Sequence, residues 1–84
     1  MALNLKIVSP EKVEFDGEVA SVIVPGVVGS FEILPDHAPI ISLLETGTVE
    51  YAAADGKHQL AIAGGFVEVK KNMVSICAEL NSEL

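Results

Sequence analysis

The segment TVEYAAADGKHQLAIA (48–63) decides the fold. Val49, Tyr51 and Ala53 recur at every second position, so they share one face of an extended chain. Asp55-Gly56 then supplies the clearest two-residue hairpin signal in the sequence. The apolar return over 59–63 completes a predicted antiparallel pair.

The same grammar extends outward in both directions. Downstream come a strand over 66–70, a Lys71-Asn72 turn and a strand over 73–78. Upstream, Leu3, Leu5 and Ile7 alternate until Ser9-Pro10 breaks the run. Val13 and Phe15 follow, with a turn expected at Asp16-Gly17. Val19 and 22–24 form a β-branched segment ended by Pro25-Gly26. Phe31 and Ile33 run up to Pro35, and 40–44 is a further apolar strand. Residues 43–46 allow a single helical turn that Gly47 stops, and no stretch before residue 79 keeps a helical period over three turns.

Pro35 and Pro39 bracket Asp36-His37, and their fixed φ angles and missing amide donors predict a rigid turn there. Gly17, Gly47 and Gly56 are expected at turns, and Gly64-Gly65 at a bulge or close backbone approach. Gly26 and Gly29 flank Val27-Val28 in a loop that either packs on the body or docks a partner. The sum is an all-β fold: a flattened sandwich or barrel of mostly antiparallel sheets, with eight to ten short strands.

Eighty-four residues make one domain. A chain of this size buries roughly 60–65% of its unfolded surface. Its expected stability is about 4–13 kcal/mol. Half the residues are hydrophobic, yet no run approaches the ~18 apolar residues of a membrane span. The start, MALNLKIVS, lacks a signal-peptide pattern. A net charge of −7, with five lysines and no arginine, excludes the basic face that nucleic acid needs. It equally disfavours direct adhesion to anionic lipid. The single cysteine, Cys77, lies between Ile76 and Ala78 and reads as a buried, inert thiol.

No constellation of catalytic groups emerges. The two imidazoles, His37 and His58, sit about twenty residues apart, and His58 is expected in solvent beside its hairpin. Asp36 is better read as capping its turn than as half of a dyad with His37. There is no phosphate-cradling loop and no metal-ligand spacing. The scattered carboxylates read as a solvated acidic surface. No enzyme, no cofactor and no metal site is expected.

Two blocks carry a family resemblance: SPEKVEFDGEVASVIVPGVVGSFEILPDHAPII (9–41) and AGGFVEVKKNMVSICAE (63–79). In this order they resemble the N-terminal β-sandwich domain of the epsilon subunit of F-type ATP synthase. The resemblance implies a flattened sandwich of two mostly antiparallel sheets over residues 1–79, with a short tail over 80–84. It implies a non-catalytic rotor subunit that docks on the gamma subunit and on the ring of c subunits, coupling ion-driven rotation to ATP synthesis. Membrane association would be indirect, through the complex, at the cytoplasmic face of the bacterial inner membrane.

Matched to the family, Ser9, His37 and Ser42 fall near gamma, and Gly29, Ser30 and Phe31 fall where the c-ring is met. Ser30 stands where the family commonly has an acidic residue, which weakens any charge-based ring contact. Phe66 and Ile33 also match, but strand alternation assigns them to the core. Family members usually continue into a helical hairpin that carries inhibition and, in some bacteria, an ATP site. This sequence stops at CAELNSEL (77–84), so neither property carries over and no nucleotide is expected. Two other classes compete. A free-standing sandwich binding a sugar or small acid would need an aromatic platform, and the chain offers no Trp, one Tyr and three Phe. A small hydrolase would need the constellation that is missing.

Overall fold

A computed structural model describes residues 2–81. Seven strands form: β1 Leu3–Val8, β2 Val13–Gly26, β3 Gly29–Ile33, β4 Ile40–Leu44, β5 Gly47–Ala53, β6 Gly56–Lys70 and β7 Met73–Leu80. Of the expected tail over 80–84, residues 82–84 lie outside the described residues. Among the described residues there is no helix, so none is long and apolar enough to cross a membrane.

One continuous sheet folds over on itself. Antiparallel pairs β1–β2, β2–β5, β5–β6 and β6–β7, together with a parallel β7–β1 pair, close a ring. The long strands β2 and β6 belong to both layers. The first layer contains β4, the second half of β6, β7, β1 and the start of β2. The second contains β3, the end of β2, β5 and the first half of β6. The result is a flattened body of 35 × 28 × 19 Å, and 19 Å is what two sheets packed face to face at about 10 Å require.

The core follows strand parity. Leu3, Leu5 and Ile7 of β1 lie beside Val67 and Val69 of β6 and Val74 and Ile76 of β7 on one inner face, and Val22, Ile33, Val49 and Ile62 join them in the same core. Each fully buried Val, Leu or Ile contributes about 1.5–3 kcal/mol of apolar transfer free energy. Ile33 is fully buried, as its alternation predicts.

Several expectations are corrected by the pairing. Among the described residues there are seven strands, two of them 14 and 15 residues long, rather than eight to ten short ones. Asp16-Gly17 is not a turn: Asp16 pairs with Lys6 and Gly17 with Leu5 inside β2. A side chain there would be tight against Phe15, whose ring lies 3.2 Å from where the Cβ would stand. Residues 43–46 hold no helical turn, since Leu43 and Leu44 pair in β4. Gly47 is likewise a packing glycine; its Cβ would stand 2.7 Å from that of Pro25.

The β5–β6 hairpin forms, but one residue earlier than the Asp55-Gly56 signal places it. Ala53 pairs with Gly56, so Ala54 and Asp55 make the loop and Gly56 opens β6 with φ of 125°. Gly64-Gly65 is both a bulge and a close approach. The β6–β7 register shifts between Ile62 and Gly64, and a Cβ on Gly65 would overlap the Cys77 carbonyl.

Candidate docking surfaces

Several of the apolar side chains left outside the core fall on two surfaces. The first is built by register. Leu43 of β4 stands opposite Phe66 of β6, Phe66 opposite Cys77 of β7, and Cys77 opposite Val8 of β1. Parity turns all four away from the core, giving a strip across four strands of one layer. Leu43 is 64% exposed and Phe66 41%, and Ile41, two residues from Leu43, is 71% exposed. Soluble chains seldom leave contiguous apolar area uncovered without an interaction to cover it.

Two expectations fail at this strip. Phe66 is on the outer face, not in the core, because it shares its parity with Glu68 and Lys70 while Val67 and Val69 face inward. Cys77 is exposed, not buried, because its neighbours Ile76 and Ala78 take the inward positions. An apolar groove of about 430 Å³ opens on the strip, lined by Phe66, Cys77 and Val8 together with Pro10, Gly64 and Gly65.

Ser9 and Ser42 sit next to the strip's two ends, following Val8 and preceding Leu43. Ser9 is buried and its hydroxyl is engaged. It donates to Glu14 Oε2 at 2.8 Å and accepts from the amides of Glu11 and Lys12, each at 3.3 Å. It shapes the turn at the end of β1 and contributes to the groove wall by position. Ser42 is half-buried, on the opposite parity from Leu43, with its hydroxyl 3.4 Å from the Leu43 carbonyl oxygen.

The second surface is the β2–β3 hairpin and the turn after β3. Val28 at the tip is 94% exposed, with Val27 and Leu34 half exposed beside it. Gly29, at φ of 130°, and Ser30 are open to solvent, whereas Phe31 leans back on the core over Gly26. His37 joins this group, its ring 6.4 Å from that of Phe31. Its Nδ1 donates to the Ala38 carbonyl oxygen at 2.7 Å. The residues matched to gamma are therefore split: Ser9 and Ser42 flank the strip, whereas His37 stands with the second surface, beside Phe31. The second surface is tied to the end of β4 by Val27 N donating to the Leu43 carbonyl at 3.0 Å.

A ring stack lies elsewhere. Phe15 packs on Tyr51 at 4.5 Å, Tyr51 stacks on His58 at 5.3 Å, and His58 Nε2 meets Asp55 Oδ1 at 2.8 Å. His58 is thus half-buried against Tyr51 rather than free in solvent. Burial, and then the nearby Asp55 carboxylate, raise the Tyr51 pKa above its ordinary value. The His58 hydrogen bond and charge lower that of Asp55. Asp36 does not face His37: its carboxylate takes a hydrogen bond from Asn72 instead. Among the described residues no three His, Cys, Asp or Glu side chains converge as a metal site would need.

The family model described as ATP synthase, Delta/Epsilon chain, beta-sandwich domain matches residues 2–81. The ATP synthase epsilon chain of Leptospira borgpetersenii serovar Hardjo-bovis is 44% identical over 77 residues, covering 92% of this chain and 61% of that one. The epsilon chain of Chlorobaculum tepidum is 42% identical over 79 residues, covering 93% and 90%. The chain thus spans about three-fifths of the length of several curated relatives and most of one. In solved structures the same fold occurs in the Euglena gracilis mitochondrial ATP synthase, OSCP/F1/c-ring (TM-score 0.85, 24% identity, 92% of this chain and 50% of that one). It occurs again in the central stalk/c-ring of the Tetrahymena thermophila enzyme (TM-score 0.77, 17% identity, 94% and 64%). With a β-sandwich closed as described, and a family match over nearly its whole length, this chain belongs to the delta/epsilon β-sandwich family of ATP synthase.

Proposed function

We propose that this chain is the β-sandwich of a non-catalytic epsilon subunit, part of the central rotor of a bacterial F-type ATP synthase. It transmits torque between the c-ring and gamma and so couples ion-driven rotation to ATP synthesis. The observation that carries this reading is the exposed Leu43–Phe66–Cys77–Val8 strip on a closed, two-layer body. A closed ring of strands resists shear, and an apolar face built on it is suited to hold a permanent partner. Gamma occupies the strip, flanked by Ser9 and Ser42 and reached by His37 from the turn. The c-ring meets the hairpin tip at Gly29, Ser30 and Phe31, with Val28 foremost. Membrane association is peripheral, at the cytoplasmic face, and runs through these two partners.

Calorimetric titration of the chain with the gamma subunit from the same source tests the reading. The expected result is saturable one-to-one binding, weakened at least tenfold in Leu43→Glu and unaffected in Glu18→Gln, an exposed position off the strip. A charge buried in an apolar contact is desolvated without a partner, which carries that penalty. Absence of binding by the folded wild-type chain would refute the assignment.

A further inference from the structure

Three non-glycine residues among the described ones have positive φ, and all three belong to two neighbouring turns: Asp36 (67°), Lys71 (51°) and Asn72 (62°). The first turn is Leu34-Pro35-Asp36-His37, closed by His37 N donating to the Leu34 carbonyl oxygen at 3.2 Å. With proline second and a left-handed residue third it has type II character, where glycine is the unstrained choice. Asp36 occupies that place, and its polar groups are used. Its amide donates to Asn72 Oδ1 at 2.6 Å, and its Oδ1 accepts from Asn72 Nδ2 at 3.3 Å. Asn72 is itself anchored: its backbone carbonyl accepts from the Asn4 amide at 2.9 Å, and it sits on the tight β6–β7 turn.

We propose that Asp36 and Asn72 form a two-bond clasp that holds the Pro35–Pro39 turn against the β6–β7 hairpin and thereby positions His37 for docking. Neither residue touches the partner; both are positioning residues. The proposal rests on the reading of His37 as part of the gamma surface. A turn framed by two prolines is stiff internally but swings as a unit about its ends. A side-chain pair linking residues 36 apart in sequence removes that swing before the partner arrives, and preorganisation of this kind raises affinity without adding a contact.

The test has two readouts on the 84-residue chain. The first is amide hydrogen exchange, resolved by NMR, which needs no partner. In Asn72→Gly, which keeps a residue tolerant of positive φ, the Asp36 amide is expected to exchange about tenfold faster, with Val67 and Ile76 unchanged. Asp36→Asn retains an acceptor for Nδ2 and is expected to keep wild-type protection. The second readout is gamma affinity, expected to fall about fivefold in Asn72→Gly and by about twofold in Asp36→Gly, which keeps the backbone amide bond to Asn72 Oδ1, and to stay at the wild-type value in Asp36→Asn. Asp36→Gly also relieves the backbone, so it remains informative if Asn72→Gly fails to fold. Unchanged protection of the Asp36 amide in Asn72→Gly overturns the clasp. Lost protection with unchanged gamma affinity overturns its positioning role. Failure of the wild-type chain to bind gamma removes the docking reading, and with it the positioning role, while the exchange arm still decides whether the clasp exists.

Discussion

At the scale of single residues, a methyl group at position 65 has no room. A Cβ there overlaps the Cys77 carbonyl and crowds Ala78, and φ is 152°. Gly64, at φ of 157°, meets only the Leu44 carbonyl at 3.6 Å, an ordinary contact. Gly65→Ala is therefore expected to destabilise by about 3 kcal/mol or more, and Gly64→Ala by about 1–2 kcal/mol. Urea denaturation of both variants checks the ordering; equal effects would assign the whole loss to backbone conformation.

Tyr51 gives a pH prediction. Its pKa is raised by burial, so its contribution is complete below the ordinary value of 10.0 and is lost as pH rises through the folded-state value. The stability of wild type relative to Tyr51→Phe should be flat up to about pH 9 and fall above pH 10. Asp55 has the opposite sign, its contribution complete above 3.8 and lost as pH drops below. Denaturation midpoints across the two pH ranges measure both.

At the scale of elements, the hairpins show what local sequence decides. Lys71 and Asn72 both have positive φ and Lys70 pairs with Met73, the geometry of a type I′ turn. Asparagine tolerates that conformation better than lysine, so Lys71→Asn should stabilise by about 0.5 kcal/mol without altering fold or docking. A midpoint shift in chemical denaturation, with an unchanged spectrum, is the expected record. The β strands and their turns were legible to this degree because alternation and turn residues are local signals. Where the reading failed, pairing overrode them. Asp16-Gly17 looks like a turn in isolation, but β1 lies beside it and holds both residues in a ladder.

The outward placement of Phe66 and Cys77 was only partly written in the sequence. Val67 and Val69, and Val74, Ile76 and Ala78, take the inward parity, leaving Phe66 and Cys77 on the other face. Alternation alone does not say which parity faces inward: in β6 it is that of Val67 and Val69, not that of Phe66. Ile41 and Leu43 carried the same message, since a strand apolar on both faces is covered on both. The Asp36–Asn72 clasp was not legible, because nothing local links residues 36 apart. The parallel β7–β1 pair that closes the ring was hidden for the same reason.

At the scale of the molecule, the ring of strands carries the two candidate docking surfaces on one closed sheet. Val27 N bonded to the Leu43 carbonyl, and Glu45 N to the Pro25 carbonyl at 2.9 Å, join the hairpin tip to the strip. Force applied at the tip therefore reaches the strip through backbone hydrogen bonds and not through a flexible linker. The acidic balance of −7 opposes self-association through the exposed apolar strip and favours encounter with basic partner surfaces. Raising the ionic strength should accordingly slow association with gamma more than it speeds dissociation, a split that stopped-flow kinetics resolves.

Cys77 places a natural probe in the middle of the strip. Maleimide labelling of Cys77, timed in the free chain and again in the complex with gamma, tests the docking surface most directly. Rapid labelling in the free chain and at least tenfold slower labelling in the complex are the predicted results. Equal rates in the two states, with complex formation verified, would contradict the assignment of the strip as the seat of gamma.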